Sequence, residues 1–122
     1  MVGDDGQVLF VEAKHKETFS WHRNTQTWTT GIDLKHYRHY LKLMQITKHK
    51  IWLFFLHRGG MDKDTLESSP AGLFAGDLNE LQHRENHRSH YGSGMVYWGI
   101  ESLTKLSDYP LYQTTELQIN NL

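Results

Sequence analysis

Hydrophobic and polar positions along the first half of the chain switch from a strand-like to a helix-like pattern and back. Residues 7–14 (QVLFVEAK) predict a β-strand, because four consecutive apolar residues follow an Asp-Asp-Gly turn. Apolar side chains then recur every three or four residues, which predicts a helix from Asp33, its N-cap, to about Thr47. The apolar run at residues 51–56 (IWLFFL) predicts a second buried strand. Strand, helix and strand in this order indicate a βαβ unit with parallel strands.

The rest of the chain gives weaker signals, which predict short elements joined by polar segments. Residues 15–30 are rich in Thr and aromatic residues around a polar turn, so we expect a hairpin there. Trp21 and Trp28 would pack in this hairpin or in the core, with base stacking as the alternative. Farther along, the pattern predicts a loop at 62–72, a short strand at 73–75, a brief helix capped by Asp77, a polar and flexible segment at 83–94, a strand at 95–100, and a bend or short turn around Leu103 and Leu106.

Composition bounds the class of protein. A chain of 122 residues with 38% hydrophobic residues, four Trp, six Tyr and five Phe is typical of one folded domain. No apolar run approaches the roughly 18 to 20 residues that span a bilayer, so we expect no membrane partner. The absence of cysteine excludes disulfides and thiolate metal sites, and it fits a cytoplasmic protein.

Charge is balanced overall but uneven along the chain. The net charge of −1 gives no global attraction to nucleic acid. Positive residues nevertheless cluster between Lys14 and Lys50, where they form either a solvated face or a DNA-facing patch. A DNA-facing patch would bind the phosphate backbone and would be strongly salt-dependent. The residues concerned are Lys35, Arg38, Lys42, Lys48 and Lys50.

Glu12 and Lys14 place a carboxylate and an ammonium on one face of the first predicted strand, because side chains two residues apart share a face. A carboxylate can hold a hard cation such as Mg2+. A neighbouring ammonium can orient an attacking water or stabilise negative charge on a phosphate. The tripeptide alone is a weak signal, and a structural ion pair at a strand end is the alternative interpretation.

The V-E-A-K strand, the helix with His36-x-x-x-Tyr40 and the IWLFFL strand together resemble the PD-(D/E)XK nuclease superfamily. That group includes restriction endonucleases, Holliday junction resolvases and phage recombination exonucleases. The resemblance implies an α/β fold, with a restriction-endonuclease-like mixed sheet flanked by helices and the E-x-K strand near its centre. It implies a single nuclease-like domain over residues 1–122, with its core at 4–58 and C-terminal strands and tail at 73–122.

The resemblance also implies a function. It predicts a Mg2+- or Mn2+-dependent nuclease, phage or mobile-element encoded, that hydrolyses DNA phosphodiester bonds. Glu12 would ligate the metal, and Lys14 would position water or stabilise the transition state. Tyr40 and His36, which replaces the Gln of the family's Q-x-x-x-Y helix, would support the site or contact a phosphate. DNA contacts are further expected from Lys16, Lys35 and Arg38.

One departure from the family pattern concerns a second metal-binding aspartate, which family members carry farther upstream of the acid. Here Asp4 and Asp5 lie only eight and seven residues before Glu12. Three interpretations follow: a nuclease that has lost an N-terminal portion, a shortened hairpin that lets Asp5 or Asp4 serve as metal ligand, or an inactive relative that binds DNA or protein. A homodimer is also expected, since a partner could supply the missing strand.

The nine histidines offer a competing site. Spacings of four and three would place His83, His87 and His90 on one side of a helix, which is zinc-ligand spacing. Asn86, Ser89 and Gly92 argue against a helix in that segment, so zinc is the weaker hypothesis.

Overall fold

The computed structural model describes residues 9–16, 18–62, 65–90 and 92–108, and for residues 9–16 it gives the backbone alone. The order of elements is β1 (Leu9–Lys16), β2 (Ser20–His22), β3 (Thr27–Asp33), α1 (Leu34–Thr47), β4 (Lys50–His57), β5 (Gly60–Met61), β6 (Ser68–Ser69), β7 (Gly72–Asp77), α2 (Leu78–Leu81), β8 (His87–Ser89), β9 (Met95–Gly99), a 3-10 turn (Ile100–Ser102) and β10 (Thr104–Ser107). No helix in these ranges has the length and apolar character needed to cross a membrane.

The first sheet has the strand order β1-β4-β7-β10 and is mixed. β1 pairs with β4 in parallel over its whole length, from Leu9 opposite Lys50 to Lys16 opposite His57. β4 and β7 are antiparallel, as are β7 and β10. The predicted parallel pairing of the two apolar strands is therefore confirmed, and the chain belongs to the mixed α/β class.

A second sheet is formed by the predicted hairpin together with β9 and β8. It has the order β2-β3-β9-β8, and each neighbouring pair is antiparallel. The predicted hairpin is confirmed in β2 and β3, where Trp21 pairs with Trp28 and the two rings meet edge to face at 5.3 Å. The predicted mixed sheet is accompanied by this second, antiparallel sheet, because β9 continues the hairpin instead of extending the parallel pair. β5 and β6 form a separate two-stranded ladder.

One hydrophobic cluster fills the space between the two sheets and the two helices. Burial alternates along β4, and the inner-face residues Ile51, Leu53 and Phe55 are at most 1% exposed. They pack with buried residues of the second sheet and of both helices, namely Ile32, Val96, Trp98, Leu34, Tyr37, Leu78 and Leu81. Burying a side chain of this size contributes roughly 1.5–3 kcal/mol. This cluster therefore holds the two sheets together.

Trp98 links this core to α2. Its indole N–H donates to the main-chain carbonyl of Leu81 at 2.7 Å, which satisfies a polar group inside the core. The Tyr37 ring meets the indole edge to face, with ring centroids 5.5 Å apart. α1, α2 and β9 therefore converge on one aromatic side chain.

α1 begins and ends where the sequence predicts. The Asp33 carboxylate accepts from the Lys35 main-chain N–H at 2.8 Å and from the Ser93 hydroxyl at 2.8 Å. These hydrogen bonds lower the pKa of Asp33 below its usual value. The helix ends with Lys48 in the left-handed conformation (φ 60°, ψ 20°), and the Lys48 N–H donates to the Met44 carbonyl at 2.9 Å.

Several expectations need correction. The segment predicted to be polar and flexible contains β8, because β9 offers its polar residues a hydrogen-bonding edge. The predicted bend around Leu106 is β10, which pairs with β7. The predicted loop at 62–72 contains β6. Among the described residues β1 stands at one end of its sheet instead of near the centre. Asp4, Asp5 and the tail beyond Asp108 lie outside these residues.

The left-handed Lys48 gives a testable prediction about stability. A side chain in this conformation is strained, whereas glycine adopts it readily and is the preferred residue after a helix end. We expect Lys48→Gly to raise the free energy of unfolding by about 0.5–1 kcal/mol, as measured by urea denaturation.

Lys42→Gly is the matched control, because it removes the same side chain inside α1. It should lower the free energy of unfolding by about 1 kcal/mol. Destabilisation by both substitutions to a similar extent would contradict the strain at Lys48.

Candidate functional site

The E-x-K residues occupy defined positions in the first sheet. In the parallel register Glu12 stands opposite Leu53, and Lys14 stands opposite Phe55. Both β4 residues are fully buried. The two candidate residues are therefore placed beside the strand positions that build the core. The side chains of β1 lie outside the described part of the structure, so the predicted pairing of carboxylate and ammonium stays a prediction.

The His36-x-x-x-Tyr40 pair lies on α1, one turn apart, as the sequence predicts. The two ring centroids are 6.3 Å apart, and the rings are tilted by 39°. Tyr40 is half-buried and packs against the hydrophobic cluster, whereas His36 is exposed. This flank of α1 therefore presents one anchored ring and one accessible imidazole.

The basic residues expected to contact DNA fall into two places. Lys35 and Arg38 are exposed on α1. Lys16 ends β1, opposite His57 in the parallel register. Asp4 and Asp5, the candidates for a second metal-binding carboxylate, lie outside the described residues.

His57 ends β4 and is a buried residue that the sequence alone does not distinguish. Its imidazole is 0% exposed and stacks on the Phe19 ring, with centroids 3.7 Å apart and planes 16° apart. Phe74 approaches the same imidazole at 6.0 Å. The burial alternation of β4 continues through His57, but the uninterrupted apolar run before it gives no such alternation in the sequence. A polar ring is thus held in the core at the carboxyl end of β4, which pairs in parallel with β1.

The zinc hypothesis does not fit the structure. His87 lies on β8, while His83 and His90 lie in the flanking segments, so the three imidazoles do not share a helix face. In the part of the chain that the structure describes, no group of three or more His, Cys, Asp or Glu residues could hold a metal ion. The helical zinc site is therefore wrong.

Tyr37, Glu85 and Arg88 form a polar cluster that the sequence did not predict. The Tyr37 hydroxyl donates to Glu85 Oε2 at 2.7 Å, and Arg88 Nε donates to Glu85 Oε1 at 2.7 Å. Burial, followed by the Glu85 hydrogen bond, raises the pKa of Tyr37. The Arg88 guanidinium holds the pKa of Glu85 below its usual value. The cluster ties α1 to the segment that enters β8.

Three rings form a column across the second sheet. The His22 and His87 imidazoles stack with centroids 3.8 Å apart, and His87 stacks on Tyr97 at 4.5 Å. Each imidazole has a polar neighbour: His22 Nδ1 lies 2.7 Å from Thr25 Oγ1, and His87 Nδ1 lies 2.7 Å from Asn86 Oδ1. Burial, followed by the charge of His22, lowers the pKa of His87. The column therefore favours the neutral form of His87.

Comparisons of this chain with protein-family models, with curated proteins and with solved structures find no match. The functional assignment therefore rests on the geometry and chemistry of the chain itself.

The ring column predicts how stability depends on pH. The folded state lowers the pKa of His87, so near and below the unfolded value of about 6.5 the unfolded state binds more protons. The stability that neutral His87 contributes is fully present above that value and is lost as the pH falls toward the folded pKa. We expect the free energy of unfolding to decrease between about pH 7.5 and 5.5, as measured by urea denaturation at each pH.

His87→Phe is the variant that separates this effect from other titrations, since it keeps a stacking ring and removes the titrating group. Its free energy of unfolding should decrease less than that of the wild type over the same pH interval. An equal decrease in both proteins would contradict the role of His87.

Proposed function

We propose that this protein is a Mg2+-dependent nuclease that hydrolyses phosphodiester bonds in DNA. The observation that carries the proposal is the β1–β4 pairing. The strand with Glu12 and Lys14 runs parallel to β4 over eight residues, and α1 lies on the connection between them. This is the arrangement that the resemblance to the PD-(D/E)XK superfamily implies. We propose in addition that the whole fold is restriction-endonuclease-like.

The donor chemistry supports a hard cation. Glu12 offers carboxylate oxygens, which are the ligands that Mg2+ and Mn2+ prefer. The described residues provide no competing cluster of histidine and carboxylate ligands. Asp5 or Asp4 would complete the ligand set. When bound, the ion supplies positive charge that acidifies a water molecule and offsets charge on the phosphate.

The remaining roles belong to residues of the chain itself. The Lys14 ammonium would orient the attacking water or stabilise the negative charge that builds on the phosphate during hydrolysis. His36 and Tyr40, one turn apart on α1, would hydrogen-bond a phosphate oxygen or hold the site in position. Lys16, Lys35 and Arg38 would contact the DNA backbone.

Placing the candidate acid and amine on a strand that is paired along its whole length favours catalysis. A site on a regular element keeps its geometry better than a site on a loop. The buried partners Leu53 and Phe55 fix β4, and β4 in turn fixes the backbone of Glu12 and Lys14.

The proposal predicts metal-dependent cleavage that depends on both residues. With Mg2+ or Mn2+, the wild-type protein should convert supercoiled plasmid to nicked or linear products. We expect Glu12→Gln and Lys14→Met each to lower the cleavage rate by about 10²-fold or more, because each removes charge that acts in the transition state.

Glu67→Gln and Lys105→Met are the matched controls, since both residues are exposed and neither lies on β1 or α1. Both controls should cleave at the wild-type rate. Asp5→Asn and Asp4→Asn, assayed in parallel, identify the second carboxylate. Salt-sensitive DNA binding by the wild type without any cut product would contradict the proposal and favour a catalytically inactive DNA-binding module.

A further inference from the structure

A trough between α1 and α2 adjoins the helix that carries part of the proposed nuclease site, and it shares Arg38 with the expected DNA contacts. It consists of two adjoining cavities of about 590 and 450 Å3. Met44, Lys48 and Asn79 line both cavities. They therefore form one continuous depression that runs along the C-terminal half of α1 and reaches the first residue of β4.

The α1 side of the trough is cationic. Arg38, Lys42 and Gln45 line it at spacings of four and three residues, so they share one face of the helix. Residues 34–50 contain five Lys or Arg residues and no Asp or Glu, although the whole chain has 13 basic and 14 acidic residues. The positive charge is therefore concentrated on this face beyond what composition requires.

The α2 side is formed by two amides and two carboxylates. Gln82 Nε2 donates to Asn79 Oδ1 at 2.9 Å, which holds the two side chains together. Asp77 and Glu80 line the trough at its Lys50 end, and one Asp77 oxygen already accepts from the Asn79 main-chain N–H at 2.9 Å. Across the two cavities, Arg38, Lys42, Lys48 and Lys50 outnumber these two carboxylates. An anion in the trough would therefore bind along the α1 side, next to these basic residues.

Lys48 lies at the C-terminal end of α1 and lines both cavities. It holds a left-handed conformation (φ 60°) in which glycine is less strained. Strained residues of this kind cluster at ligand sites, where the side chain is needed despite the conformational cost. Helix termination alone would be served better by glycine. Lysine at this position adds a positive charge at the C-terminal end of α1, beside both cavities.

We infer that the trough binds the phosphodiester backbone of a nucleic acid as a second contact, separate from the E-x-K strand. The segment from Arg38 to Lys48 is ten residues long, about 15 Å of helix. A DNA strand carries one phosphate per about 3.4 Å, so this length matches about four successive phosphates. A row of cations of this extent suits a chain of repeating charges better than a compact anion.

The α2 side of the trough lies away from the E-x-K strand in the strand order, whereas its α1 side belongs to the helix that also carries His36 and Tyr40. α2 follows β7, and β7 lies on the opposite side of β4 from β1. The inference rests on the proposed function for the identity of the ligand, since the same nucleic acid would contact both places. It predicts that the protein holds its substrate at a distance from the bond that is cut.

Fluorescence anisotropy with a labelled single-stranded oligonucleotide, and with its duplex, tests this inference. Titrations in EDTA exclude cleavage, so binding is read separately from catalysis. We expect Lys42→Gln and Lys48→Gly each to weaken binding several-fold at about 0.1 M salt. Each should also reduce the slope of log affinity against log salt by about 0.7 for a single strand or 0.9 for a duplex.

Lys48→Gly makes the test independent of folding, because it should stabilise the protein while it weakens binding. Arg23→Gln is the charge-matched control: Arg23 is exposed in the β2–β3 turn, outside the trough, and its removal should leave affinity and salt slope near the wild-type values. If the substitutions weaken the affinity for one form of the oligonucleotide more than for the other, that form, single strand or duplex, is the one that the trough binds.

The two proposals fail in different ways. Wild-type binding without cleavage in Mg2+ or Mn2+ contradicts the nuclease alone. Cleavage by the wild type, with Lys42→Gln and Lys48→Gly binding as tightly as Arg23→Gln, overturns the trough. Displacement of the oligonucleotide by inorganic phosphate or a mononucleotide at matched phosphate concentration would identify a small-anion site and would likewise overturn an extended backbone contact.

Discussion

The parallel pairing of β1 with β4 is the constraint on which the rest of the structure depends. Eight residues of β1 are in register with β4, whose inner-face side chains Ile51, Leu53 and Phe55 form the centre of the core. Because side chains alternate along a strand, a slip of one residue would exchange the two faces of β1. The hydrophobic cluster on β4 therefore determines where Glu12 and Lys14 stand, and the proposed chemistry depends on packing as much as on the two residues.

The elements with strong local patterns were predictable from sequence. The α1 boundaries at Asp33 and Thr47 and the apolar run of β4 follow from periodicity and capping, which are local properties. β8 and β10 were missed because their residues are polar, and they become strands only when β9 and β7 offer an edge. The division into two sheets was missed for the same reason: it depends on which strands meet, and that choice is made by the assembled core.

The candidate site likewise contains some features that local sequence predicts and others that depend on the assembled fold. The one-turn spacing of His36 and Tyr40 was predictable because it is local to one helix. The ring column of His22, His87 and Tyr97 joins β2 to β8 and β9, and nothing in the spacing of these residues indicates that they meet. The trough between α1 and α2 likewise exists only after both helices have packed. Sequence patterns can therefore predict candidate functional residues within one strand or helix. Surfaces formed between elements can be identified only from the folded structure.

The separation of β1 and β4 along the chain determines the order in which the protein matures. The hairpin of β2 and β3 pairs residues that are close in the sequence, such as Trp21 and Trp28. The pairing of β1 with β4 instead joins residues far apart in the sequence, such as Leu9 and Lys50. Local contacts form early and distant pairings form late, since the intervening chain must first be closed into a loop. On the ribosome β1 has no β4 to pair with until residue 57 has emerged. A nascent chain would thus assemble its antiparallel hairpin first and form the parallel pair of β1 and β4 later.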